Sequence, residues 1–345
     1  MNFAVPIVDL GSYTGIADPA GRAETATALD TACRDVGFVQ VVGHAVPDSP
    51  IDGLASAIDE FFGLAHATKL EYRSPRGNRG YTPPKSEALS LSAGIAPADR
   101  MNDFFEAFNV GAAQHDYPGL DLPAEHYAEN LWPAEAVTFQ PRVETYFRQA
   151  QRVARALTTA FADALGLPAG FFEPYTDHSV EVLRINNYAL PPGDIEVDAD
   201  LTGMGEHTDF GIVTVLWADR VAGLQVLGPD HRWHDVQPEP GALLVNLGDL
   251  MARWTNDRWV STLHRVKPPV VDGRIMCRRS AAFFHDGNSD ALIETPSNLV
   301  GREGSSYEPI RVDEHIAAKL HGSRGGVLNS AATREAERIK AAAGQ

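Results

Sequence analysis

The spacing of apolar and polar positions divides the chain into three stretches. From residue 1 to about 175 the chain reads as helix-rich, with short strands at the start. Ala20 to Val36 predicts one amphipathic helix, and Ile51 to Leu70 predicts another. Pro141 to Leu165, rich in Ala, Arg and Leu, predicts a longer one, with Gly166 placed to cap its C-terminus. Before it, residues 73 to 100 are rich in Pro, Gly and Ser and include Tyr81-Thr82-Pro83-Pro84. They read as a long surface loop of the kind that can serve as a lid.

From 176 to 290 the pattern changes to short apolar runs separated by turn residues. Leu224-Gln225-Val226-Leu227, the turn Gly228-Pro229-Asp230 and Trp233 make a hairpin pattern. Ala242-Leu243-Leu244-Val245 predicts a buried strand, and Arg274 through Phe284 is largely apolar and β-prone, with few turn residues. Many short strands with Gly and Pro turns imply a sandwich or barrel. Residues 291 to 345 hold turns, a helix near 313 to 321, and an Ala-rich charged tail from about 331 that reads equally as helix or frayed end. The fold class expected is α+β and β-centred, with a helix-rich N-terminal region.

The chemistry-bearing residues sit in the middle stretch. His207-Thr208-Asp209 is the only His-x-Asp in the chain, and His264 follows far downstream. On an extended segment residues i and i+2 share a side, so His207 and Asp209 reach one metal with Thr208 turned away. A ligand so distant in sequence suits a sheet sandwich, where a later strand returns beside the first. Two imidazoles and a carboxylate are the ligand set of non-haem Fe(II) oxygenases, and they also suit zinc. The same alternation puts Arg278 and Ser280 on one face and Arg279 on the other. A guanidinium fork with a hydroxyl beside it matches a carboxylate, and a buried arginine requires an anion.

Other features change the picture less. Arg184 is placed either to face the substrate or to form a structural ion pair, and His231, His234 and His285 read as surface residues or as supports of the metal ligands. Gly203-Met204-Gly205 lacks the strand-turn-helix frame of a phosphate loop and reads as a flexible approach to the metal strand. Phe283, Phe284, Leu216 and Trp217 are candidates for an apolar wall beside the metal, and each also reads as core.

The likeness to a known family extends well beyond these motifs. Ile7-Val8-Asp9-Leu10, Ala32-Cys33-Arg34-Asp35-Val36-Gly37-Phe38, Gly43-His44, Phe61-Phe62 with Lys69, and Arg79-Gly80-Tyr81 come first. Phe105-Glu106-Ala107-Phe108 and Asn130-Leu131-Trp132-Pro133 follow. Then come Gly205-Glu206-His207-Thr208-Asp209-Phe210-Gly211, Gly223-Leu224-Gln225-Val226, Asn246-Leu247-Gly248-Asp249, Thr255-Asn256 and His264-Arg265-Val266. In this order, from near residue 5 to near 320, the chain resembles the isopenicillin N synthase-like family of Fe(II)/2-oxoglutarate-dependent dioxygenases.

That resemblance implies a double-stranded β-helix, or jelly-roll, core over 176–290. It implies a helix-rich region over 1–175 and a C-terminal segment over 291–345 able to close over the substrate. It implies Fe(II) on His207, Asp209 and His264, with the distal carboxylate of the cosubstrate 2-oxoglutarate on Arg278 and Ser280. Asn186 and Tyr188 match an Asn-x-Tyr element that helps hold the cosubstrate. Here Asn187 stands where the family has an aromatic, and Pro191-Pro192-Gly193 follows. The implied reaction uses O₂, yields succinate and CO₂, and oxidises a C–H bond of a small molecule, usually by hydroxylation. An oxidative cyclase that uses no 2-oxoglutarate, with Arg278 and Ser280 on the substrate's own carboxylate, stays open. So do a non-catalytic jelly-roll binding protein and a hydrolytic zinc enzyme.

Composition agrees. Of 345 residues 44% are hydrophobic and 22% charged, which is globular. A net charge of −17 argues against a nucleic-acid or anionic-membrane partner. Cys33 and Cys277 are too few for a disulfide scaffold and fit a reducing cytoplasm. No basic-then-apolar N-terminal signal and no long apolar run appear, so a soluble cytoplasmic enzyme is expected. Abundant Ala, Gly, Arg and Pro point to a GC-rich bacterial genome, and relatives from such genomes often act in specialised metabolism. Substrate and oligomeric state are not encoded in any diagnostic motif.

Overall fold

The computed structural model describes residues 3–15, 18–74, 78–84, 86–87, 89–94, 105–188, 203–268, 270–271, 274–302 and 304–325. The Pro-Pro-Gly loop at 191–193 and the tail from 331 lie outside the described residues. The larger sheet has eight strands. In spatial order they are β1 (Ile7–Asp9), β2 (Phe38–Val42), β10 (Leu243–Leu247), β7 (Val213–Ala218), β14 (Arg279–Asn288), β5 (Ser179–Asn187), β4 (Glu106–Gly111) and β3 (Gly80–Thr82). Four strands make the smaller sheet: β6 (Met204–His207), β11 (His264–Val266), β8 (Leu224–Leu227) and β9 (Trp233–Asp235). A two-stranded ribbon joins β12 (Val270–Val271) to β13 (Arg274–Ile275).

The two sheets face each other as a double-stranded β-helix. Phe105, Ala107, Tyr188 and Leu244 of one meet Met204, Leu224, Val226 and Val266 of the other in a shared apolar cluster. The opposite face of the larger sheet carries the helices α1 (Gly11–Thr14), α2 (Pro19–Asp35), α3 (Asp48–Phe62), α4 (His66–Glu71) and α5 (Phe139–Leu165). Strand pleating sorts the residues. On β5, Leu183 and Ile185 join the core under the helices, whereas Val182, Arg184 and Asn186 turn to the space between the sheets. On β14, Ala281 and Phe283 go to the helices, and Ser280, Ala282 and Phe284 go inward. Phe283 meets Phe147 of α5 edge-on, with ring centroids 5.2 Å apart.

Several expectations need correction. The helix expected over Ile51–Leu70 is broken at Gly63, which ends α3, and the chain re-enters helix at His66. The break lets Lys69 turn inward to Glu106, 2.7 Å away. The stretch from 73 to 100 is not simply a surface loop. Arg79 and Tyr81 are 2% exposed, and β3 pairs with β4 at the sheet edge. The expected single strand from Arg274 to Phe284 is split, because the chain leaves the ribbon at Met276 and enters β14 only at Arg279. Gly166 does cap α5, in the left-handed conformation (φ 64°) that glycine adopts without strain. The hairpin β8–β9, the strand β10, and the C-terminal helix α7 (Val312–Gly325) stand where the pattern placed them. No helix among the described residues is long and apolar enough to cross a membrane.

Candidate metal centre and its cavity

His207 ends β6, and His264, the first residue of β11, pairs with it across the smaller sheet. Asp209 follows two residues after His207. The three offer ligand atoms within 4.8 Å of one another, and all three side chains are buried. Asp209 Oδ1 lies 3.9 Å from His207 Nε2 and 3.7 Å from His264 Nε2.

The surroundings orient each ligand. His207 Nδ1 is 2.7 Å from the Gly205 carbonyl, and His264 Nδ1 is 3.1 Å from the Thr262 carbonyl. A carbonyl oxygen only accepts, so each Nδ1 carries the proton and each Nε2 turns a lone pair toward the shared point. Asp209 Oδ2 accepts from Asn246 Nδ2 at 2.6 Å and from the Thr214 hydroxyl, which leaves Oδ1 for a metal. Burial, with the neighbouring His264, holds the His207 imidazole well below its ordinary pKa, so it is neutral and able to ligate.

The turn after β10 keeps this segment in place. A Cβ on Gly248 would stand 2.2 Å from the Gly211 carbonyl oxygen, so only glycine permits the approach. That contact brings Asp249, at the start of α6 (Asp249–Trp254), against the ligand segment. Asp249 N donates to Asp209 O at 2.8 Å, and the Thr208 hydroxyl donates to Asp249 Oδ2 at 3.1 Å. Thr208 is thus turned away from the metal point, as alternation required.

The triad opens into a cavity of about 570 Å³ between the sheets, the size of a small-molecule site. Arg278 lines it, 2% exposed, and its Nε and Nη1 have no hydrogen-bond partner among the described residues. Its guanidinium lies 5.1 Å from the centroid of the Tyr188 ring. Ser280, 1% exposed, lies across from Asn186 on β5. An uncompensated buried guanidinium is costly, so this pocket is built for an anion.

The structure therefore brings together His207, Asp209, His264, Arg278, Ser280, Asn186 and Tyr188 around one cavity. Of the four apolar-wall candidates, Leu216 and Phe284 line it. Phe283 and Trp217 pack with the helices instead, since each is one residue out of phase with the inward face. Arg184 satisfies both of its readings: it lines the cavity, and its Nη2 lies 2.6 Å from Glu87 Oε2. His231 is exposed, and His234 stacks on Phe3 at the surface of β9. His285 does neither expected job. It is fully buried on the helix side of the sheet, 2.9 Å from Glu181.

Sequence reading missed other cavity residues. Asn109, Glu87 and Asp286 line it, as do Ile316, Leu320 and His321 of α7. Burial, with the charges of Asp209 and Glu181, pushes the Asp286 carboxyl up to about 8.

Comparison with known proteins matches this geometry. A family model for the N-terminal region of non-haem dioxygenases in morphine synthesis matches residues 5–135, and the 2OG-Fe(II) oxygenase superfamily model matches residues 180–287. A 2-oxoglutarate-Fe(II) type oxidoreductase of Emericella nidulans is 32% identical, covering 93% of this chain and 91% of its own. The chain belongs to the 2-oxoglutarate-Fe(II) oxygenase superfamily. The validamycin A dioxygenase of Streptomyces hygroscopicus subsp. limoneus is also 32% identical, over 92% of this chain and 86% of its own. A full-length Neurospora crassa protein, solved in complex with α-ketoglutarate and thymine, superposes with a TM-score of 0.78 at 27% identity, covering 92% and 96% of the two chains. This oxygenase is accordingly an Fe(II)- and 2-oxoglutarate-dependent dioxygenase that uses O₂.

The residues fit those groups on their own chemistry. Two imidazole Nε2 atoms and one carboxylate oxygen are left free to ligate, and an orphaned guanidinium waits in the same cavity.

Proposed function

We propose that His207, Asp209 and His264 hold the Fe(II), that Arg278 and Ser280 hold the distal carboxylate of 2-oxoglutarate, and that the enzyme hydroxylates a C–H bond of a small molecule. The observation that carries this reading is Arg278. A buried guanidinium with two unpaired donors, in the same cavity as the His-Asp-His cluster, calls for an anionic group near that cluster, which the distal carboxylate of 2-oxoglutarate supplies. Asn186 and Tyr188 line the same end. Tyr188 packs its ring against the guanidinium and Asn186 faces Ser280, so both shape the pocket around the cosubstrate.

Bound Fe(II), 2-oxoglutarate and O₂ supply the oxidising equivalents, with succinate and CO₂ as coproducts. The protein's part is placement. Asn246 and Thr214 fix Asp209, the Gly205 and Thr262 carbonyls fix the two imidazoles, and Leu216 and Phe284 keep water from the reacting carbon.

The three stretches divide the work. Residues 1–175 buttress the large sheet and supply the cavity's outer wall, 176–290 hold the metal and cosubstrate, and 291–345 cover the substrate through α7. Two of the relatives named above are described with a small molecule, one as a validamycin A dioxygenase and one in complex with thymine. That supports a small polar substrate for this enzyme. The free thiols of Cys33 and Cys277 support a reducing, cytoplasmic setting.

Anaerobic titration with Fe(II) and then 2-oxoglutarate tests the reading. A weak visible charge-transfer band is expected with the wild type. Arg278→Ala should weaken 2-oxoglutarate affinity by about 100-fold, the scale of losing a buried charge-assisted contact. Iron binding without the band would transfer Arg278 to the substrate's own carboxylate, and no iron binding would remove the metal assignment.

A further inference from the structure

Asn109 lies on β4 directly across from Arg184 on β5, and the pleat turns both toward the cavity they line. It is 1% exposed, and neither Nδ2 nor Oδ1 has a hydrogen-bond partner among the described residues. Ala107 on the same face of β4, and Phe105 just before the strand, are apolar, so an amide here does not follow from packing. A buried polar group without a partner works against folding, and its presence in a binding cavity points to a ligand.

The polar groups around Asn109 are already engaged. Arg79 donates to the carbonyls of Asn78, Ala112, His126 and Ala128. Arg184 is paired with Glu87 at 2.6 Å and donates from Nε to Asn186 Oδ1 at 3.3 Å. The Arg184–Glu87 pair brings no net charge. Asn109 therefore offers an N–H donor and a carbonyl acceptor, side by side, while the Arg79 guanidinium is turned to backbone carbonyls. A carboxylate would satisfy the donor and repel Oδ1, an ammonium would do the reverse, and an alkyl group would satisfy neither. The complement is a planar neutral group with an acceptor and a donor side by side.

We propose that Asn109 is a specificity-determining residue that pairs through two hydrogen bonds with an amide-type edge of the substrate: a carboxamide, lactam, imide or ureido group. This rests on the oxygenase reading above and names the substrate class for its cavity.

Uncoupled consumption of 2-oxoglutarate by the Fe(II)-loaded wild type tests the oxygenase reading separately, and its absence would remove that reading alone. For Asn109 the first measurement needs no substrate. Asn109→Leu removes an unpaired amide and no hydrogen bond, so the melting temperature of the substrate-free protein rises by roughly 2 °C. An unchanged or lower value means that the amide has partners in the fold, which overturns the inference.

The second measurement compares stimulation of 2-oxoglutarate consumption by thymine, 2-piperidone and benzamide with stimulation by their N-methylated counterparts. Wild type is expected to favour an unmethylated compound by about 100-fold, and Asn109→Leu to shrink that preference to below about 10-fold. Equal stimulation by the methylated compounds in the wild type would also overturn the inference. Where no compound stimulates turnover, the melting temperatures alone decide.

Discussion

Lys319 Nζ on α7 lies 2.6 Å from the carboxylate of Asp249, and the same carboxylate accepts from Thr208, the residue between two of the triad ligands. The C-terminal helix is therefore fastened to the metal segment through one buried acid. Burial works to raise the Asp249 pKa, but the charges of Lys319 and His315 and the hydrogen bonds from Lys319 and Ser261 together outweigh it, so the carboxyl stays below its ordinary range. Breaking a buried ion pair on one side strands the other charge, at about 3–5 kcal/mol. Lys319→Met should speed amide hydrogen exchange across α7 and lower the melting temperature. Adding Asp249→Asn should recover part of that loss, because it removes the stranded charge. A single mutant with unaltered exchange in α7 would show that the pair does not hold the helix.

The same helix carries a pH response. Burial pulls the His315 imidazole down to about 4 from its ordinary 6.5. The folded state therefore keeps His315 neutral while the unfolded chain takes up a proton. Above about 6.5 neither state is protonated, and no stability is lost. As pH falls from about 6.5 toward 4 the unfolded form binds the extra proton, and α7 is progressively weakened. Proteolysis of α7 followed between pH 7.5 and 5 should accelerate on acidification. His315→Gln, which cannot titrate, should flatten that part of the profile. If the two proteins give parallel profiles, another group is responsible.

How far the sequence could be read depended on whether a feature was local. The i, i+2 rule placed His207 with Asp209 and Arg278 with Ser280, because strand parity is written in a few adjacent residues. Applied from Ser280, the same parity selects Phe284 and rejects Phe283. Gly166 was legible because a left-handed cap is a local demand. The break at Gly63 and the split at Met276 were not. Both are set by tertiary partners, Lys69 reaching Glu106 in one case and the Arg278 carbonyl accepting from Tyr188 N in the other. The Arg184–Glu87, Asn109–Arg184 and Lys319–Asp249 relations join residues far apart in sequence, and no spacing rule predicts them.

Asp209 keeps Oδ1 free for the proposed metal because Asn246 and Thr214 hold Oδ2. Remove either donor and the carboxylate can rotate, so the ligand must be ordered anew each time iron binds. Groups that orient metal ligands typically contribute 10–100-fold to affinity. Asn246→Leu keeps the volume close and should weaken Fe(II) binding by that factor, measured by anaerobic titration against a competing chelator. Thr214→Val should act in the same direction with a smaller effect, since Asn246 still engages Oδ2. The double mutant then distinguishes two explanations. If both donors serve only to hold Asp209, their effects are coupled and the combined loss departs from the product of the two. A fully multiplicative loss would mean that each acts through something other than the shared carboxylate, and the oriented-ligand account of this centre would have to be given up.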